Sequence, residues 1–76
     1  MEKSDALIEA TVQDMVVFQM EQAGMELPQA LSTVFESVTF DKLSDPETGL
    51  YLAGSAYVIE LLRDELRLGQ FVQLEA

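Results

Sequence analysis

Few residues in this chain could carry chemistry. Histidine and cysteine are both absent. General acid–base work would therefore rest on carboxylates or on the phenols of Tyr51 and Tyr57. The closest carboxylate cluster is Asp41, Asp45 and Glu47. Aligned as a calcium loop starting at Asp41, it puts Leu43 at position 3, Pro46 at position 6 and Leu52 at position 12. That loop needs oxygens and a glycine there, so an Asx-type turn beside Pro46 is the better reading. Ser4, Ser32, Ser37, Ser44 and Ser55 have no histidine to activate them, and capping or surface roles are expected. Gly49 and Gly54 lack the lysine and context of a phosphate loop. Zinc, copper and haem sites normally use His or Cys. No catalytic residue, metal site or cofactor is expected, and the chain reads as a non-enzyme.

Tyr51 and Tyr57 flank Gly54-Ser55. Their rings are expected to pack the junction between a turn and the last helix, with hydroxyls reaching water or backbone. The alternative is a shallow groove edged by both rings and the acidic turn. That would make the chain a small ligand-binding protein or enzyme.

Charge narrows the class of partner. No positive side chain occurs between Lys3 and Lys42, a stretch holding Asp5, Glu9, Asp14, Glu21, Glu26, Glu36 and Asp41. With a net charge of −10, nucleic-acid phosphate and anionic lipid are repelled. A basic protein surface is attracted. Hydrophobic residues make up 49% of the chain, which argues against disorder. The longest apolar run, Met15-Val16-Val17-Phe18, is far too short to span a bilayer. Met-Glu-Lys-Ser-Asp has no basic region leading into an apolar one, so no signal peptide is expected. A cytoplasmic location fits the absence of cysteine.

The elements that must position these residues are helices. Residues 1–76 are expected to form a single small helical domain. Asp5 is a plausible N-cap and Gly24 a plausible stop for a first helix of roughly five turns. Leu7, Ile8, Thr11, Met15, Phe18 and Gln22 share one face, while Val12, Val16, Met20 and Ala23 form a second strip beside it. Asp14 and Glu21 share a narrow polar strip, and Asp5 and Glu9 interrupt the start of the second apolar one. Such a wide apolar arc exceeds what a surface helix needs. A second copy of the chain is the simple cover, so a helix-mediated homodimer is expected. Val12, Val16 and Met20 are its expected interface, joined by Phe71 and Leu74 of the C-terminal tail.

Pro28 suits the first helical position of a second helix running to about Ser37, with Leu31, Val34, Phe35 and Val38 on one face. Phe40 and Leu43 fit a short helical turn, and Ser44 to Gly49 fits an irregular one. Ser55 is expected to cap a helix from Ala56 to Leu68, stopped by Gly69. Its opposite face should carry ion pairs Glu60–Arg63 and Asp64–Arg67. The predicted fold is all-α, a compact bundle of three main helices plus a short helical turn.

Acidic helical chains of this length invite comparison with acyl carrier proteins, whose cofactor joins an Asp-Ser-Leu sequence opening a helix. Leu43-Ser44-Asp45-Pro46 has the wrong order and lies at a turn. Phe18-x-x-Glu21, Leu27-Pro28-Gln29-Ala30-Leu31 and Tyr57-Val58-Ile59-Glu60 resemble a group of small uncharacterised all-helical bacterial proteins, some of them neighbours of toxin-type genes. The segment from Asp45 to Tyr51 departs from that group, and no functional residue transfers. Taken together, the expectation is an acidic, homodimeric protein-interaction module. The alternative is an antitoxin-like inhibitor of a basic partner. A DNA mimic would need regular rows of carboxylates. Asp5, Glu9, Asp14 and Glu21 widen in spacing and point two ways.

Overall fold

The computed structural model describes residues 3–70. Phe71 and Leu74, expected at the interface, lie outside them. The described residues form four α-helices and two 3₁₀ turns, with no strand among them. Helix α1 spans Lys3–Gln22, α2 Leu27–Phe35, α3 Val38–Ser44 and α4 Ser55–Leu68. The 3₁₀ turns, Pro46–Thr48 and Leu50–Leu52, join α3 to α4.

Helix α1 already includes Lys3, three residues before the Ala6 start that an Asp5 N-cap implies. Asp5 therefore sits inside the first turn, where its charge faces the positive end of the helix dipole, rather than at the N-cap. Beyond Gln22 the backbone turns through Gly24 at φ 70°. The amides of Ala23 and Met25 both donate back to the Gln19 carbonyl at 3.2 Å. Pro28 is the second residue of α2, still within the first turn, where a missing N–H costs nothing. Helix α2 stops at Phe35, short of Ser37, because Ser37 opens the next helix. The Ser37 backbone is extended, and its hydroxyl accepts from the Phe40 amide at 3.0 Å while donating to the Val34 carbonyl at 2.6 Å.

The turn after α3 follows from side-chain oxygens. Asp45 Oδ1 accepts from the Glu47 amide at 3.0 Å, the Asx geometry expected beside Pro46. Thr48 donates to the Lys42 carbonyl at 2.7 Å. Ser55 does not cap α4 as anticipated. It is the first helical residue, after Gly54 at φ 88° and ψ 156°, a backbone region essentially reserved for glycine. The Ser55 hydroxyl instead donates to Asp14 Oδ2 at 2.6 Å, tying the start of α4 to the polar strip of α1. At the other end Gly69 stops α4 in the left-handed region. Both expected ion pairs are present, Glu60–Arg63 at 3.5 Å and Asp64–Arg67 at 3.2 Å.

The core gathers Met15 and Val16 from α1, Ala30 and Val34 from α2, Leu43 from α3, Leu50 from the second 3₁₀ turn, and Val58, Leu61 and Leu62 from α4. Helix α1 sits differently from its two predicted strips. Its buried residues are Thr11, Met15, Val16 and Gln19, whereas Leu7 and Gln22 are exposed. The helix thus seats on the boundary between the strips rather than on the first. Packing from both sides causes this: α2 and α4 each lie against α1. Val16, expected at a partner interface, is only 8% exposed and belongs to the chain's own core.

Candidate functional site: an apolar groove between α1 and α2

Rolling α1 onto that boundary pushes part of its second strip outward. Glu9, Val12, Gln13, Val16, Val17 and Met20 of α1 meet Leu27, Leu31 and Phe35 of α2 around a groove of about 480 Å³. Leu27, Leu31 and Phe35 are spaced by four and form a straight row along α2. Val12, Val16 and Met20 make the matching row on α1, with Glu9, Gln13 and Val17 beside it. Val16 forms the floor. Val17 is 47% exposed, Leu27 49% and Phe35 51%. Met20 is also exposed and Val12 half-buried. Such clustered exposure is unusual, whereas single exposed apolar residues are ordinary.

Phe35 is not loose at the end of this row. Its ring meets Phe40 of α3 edge-on, with centroids 4.9 Å apart and planes at 87°. That contact is a favoured aromatic geometry and orients the exposed ring. Of the interface residues expected from sequence, Val12 and Met20 therefore line the groove with surface to offer. Val16 has little.

Among the groove-lining residues the one charge is Glu9. Asp5 lies one turn earlier on the same face of α1, and Glu26 directly precedes Leu27. All three are exposed. Every described residue of α1 and α2 beyond Lys3 belongs to the stretch without a basic side chain.

Two further surface hollows differ in character. One, of about 540 Å³, lies between the C-terminal ends of α1 and α4 and is lined by Phe18, Gln19, Gln22, Ala23, Met25, Arg63, Leu66 and Arg67. Its arginines pair locally with Glu60 and Asp64. Two helix C-termini converge there, so the local dipoles offset the guanidinium charge. Gln19 is 98% removed from solvent and donates from Nε2 to the Met25 sulfur at 3.6 Å; Thr33 donates to the same sulfur at 3.6 Å. The other hollow, about 290 Å³, is lined by Gln29, Ser32, Thr33, Glu36, Ser37, Glu65 and Leu66.

Glu65, at the edge of this last hollow, was not anticipated. Its Oε2 accepts from the Val38 amide at 2.8 Å. Its Oε1 accepts from the Thr39 amide at 2.8 Å and from the Thr39 hydroxyl at 2.7 Å. A carboxylate of α4 thus caps the N-terminus of α3, a tertiary version of the usual local cap. Ser37 completes it by accepting from Phe40. The signal was present: Glu65 falls seven residues after Val58, on the apolar face of α4 with Leu61 and Leu62. A lone acid in that register calls for donors on a neighbouring helix, here one exposed and two part-buried.

The residues first considered for chemistry are dispersed. Tyr51 and Tyr57 are half-buried and pack against the core. Neither lines any of the three hollows. Asp41, Asp45 and Glu47 are exposed, and Asp45 is occupied with its own turn. Among the described residues no group of three His, Cys, Asp or Glu could hold a metal ion. No described helix is long and apolar enough to cross a membrane. No protein-family model matches this chain, and no curated protein or solved structure matches it significantly.

Proposed function

We propose that this chain is a non-enzymatic, acidic protein-interaction module whose contact surface is the groove between α1 and α2. One observation carries the reading. Val17, Met20, Leu27 and Phe35, four of the nine large apolar side chains exposed among the described residues, converge on one groove. Exposed apolar area that is contiguous, shaped and rimmed by polar residues is characteristic of docking sites. A small chain gains from covering it, since its own core is limited.

Site-specific photocrosslinking in the native host tests the proposal. A photoreactive phenylalanine analogue at position 35 should capture a specific protein, either a second copy or another chain. The same analogue at Leu52, 69% exposed and outside the groove, should not. Equal capture from both positions, or capture from position 52 alone, would remove the groove as the contact surface.

A further inference from the structure

We infer that the occupant of the α1–α2 groove is an amphipathic helix with basic flanks, and not a second copy of this chain. The inference rests on the interaction reading above and names the partner's chemistry. Shape comes first. The row Leu27, Leu31 and Phe35 runs eight residues along α2, about 12 Å at the helical rise. It faces the row Val12, Val16 and Met20 on α1. Two apolar walls of that length accept side chains repeating at i, i+3, i+4 and i+7, the spacing of one helix face.

Charge then separates the two possible helices. The groove's lining charge is Glu9, with Asp5 one turn away on the same face and Glu26 beside Leu27. In a two-fold dimer the same patch meets itself. Glu9, Asp5 and Glu26 would then approach the same carboxylates from the other copy, with no lysine or arginine anywhere from Ser4 to Asp41 to separate them. Like charges brought together at an interface disfavour it. Lysines or arginines flanking an apolar stripe would instead meet those acids. The net charge of −10 would draw such a helix in from a distance.

Fluorescence anisotropy with three labelled peptides tests this on the full chain. The first is a helix of about 18 residues with leucines at the groove spacing and lysines elsewhere. The second replaces every lysine by glutamate. The third scrambles the first. The lysine peptide should bind at least about tenfold tighter than the scramble and about a hundredfold tighter than the glutamate twin. Its affinity should fall about tenfold between roughly 50 and 300 mM salt. Val17→Ser with Phe35→Ser, both at exposed positions, should abolish the preference over the scramble. Glu9→Lys with Glu26→Lys should narrow the gap between the charged twins while circular dichroism stays unchanged. Light scattering at low salt should show a monomer.

Equal binding of the lysine peptide and its scramble would overturn the inference, because charge alone would explain it. Equal binding of the two charged twins would overturn it as well. A dimer that salt strengthens and the double serine variant dissolves would make a second copy the occupant; the interaction reading would then survive. Failure of every peptide, with no crosslink from position 35, would remove both.

Discussion

The α3 N-terminus and the α1–α2 groove, linked by the Phe35–Phe40 contact, are treated in opposite ways. At the first, two backbone amides and a hydroxyl converge on the Glu65 carboxylate at 2.7–2.8 Å. At the second, Val17, Leu27 and Phe35 each leave about half their surface exposed. No buried side-chain nitrogen or oxygen among the described residues lacks a partner. The fold therefore satisfies its polar groups within the chain and leaves its surplus on the apolar side. An unmet buried polar group carries its full desolvation cost, about 1–3 kcal/mol. An exposed apolar side chain merely forgoes a gain. A small helical chain can tolerate the second and not the first, and the second is what a partner can use.

Two adjacent valines of α1 differ sharply in burial. Val16 is 8% exposed and Val17 47%. Val16→Glu should lose more than about 3 kcal/mol of stability, since it places an unpaired carboxylate in the core. Val17→Glu should stay within about 0.5 kcal/mol of the parent. Urea denaturation of both variants measures the difference. Similar losses would mean that core and groove are not separated as described.

Next comes the polar junction. Glu65→Ala strands the Val38 and Thr39 amides and should cost about 2–3 kcal/mol. At roughly 4–8 °C per kcal/mol for a domain of this size, the melting temperature should drop by about 10–20 °C. Glu65→Gln keeps one accepting oxygen and should lose about half as much. Hydrogen exchange should show the Val38 and Thr39 amides losing protection in both variants. Unchanged protection would deny Glu65 its capping role.

The smallest effect belongs to the exposed face of α4. Glu60→Ala removes a pair at 3.5 Å whose side chains are 58% and 64% exposed. Solvent screening holds such a pair to about 0–0.5 kcal/mol. A loss as large as that of Glu65→Ala would show that exposure does not rank these carboxylates.

Much of this fold was legible along the chain. Helix α4, its Gly69 stop and its two ion pairs depend on residues within four positions of one another. So does the Asx turn at Asp45, where one side chain meets an amide two residues on. Helix α2 was read slightly too long, because Ser37 looks like a continuation until its hydroxyl is seen capping Phe40. The groove was half legible: Val12 and Met20 were recognisable as surplus on α1, but Leu27 fell before the expected start of α2 and Phe35 was read as an ordinary part of its apolar face. Only the neighbouring helices reveal which parts of an apolar arc are already covered.

The pattern of apolar residues and glycines was enough to show that this chain is helical, that α1 and α4 stop near Gly24 and Gly69, and that α1 carries more apolar surface than one contact can bury. Those are local quantities, set by side-chain spacing and backbone freedom over a few residues. Tertiary structure decided which side of α1 faces inward, and so why Val16 is buried at the groove's floor while Val17 stays exposed beside it. It also decided that Glu65 and Val38, 27 residues apart, would meet. Such choices depend on how α2 and α4 share the circumference of α1. No spacing rule along one helix contains that information, because a contact between helices is a property of two sequences and the angle between them.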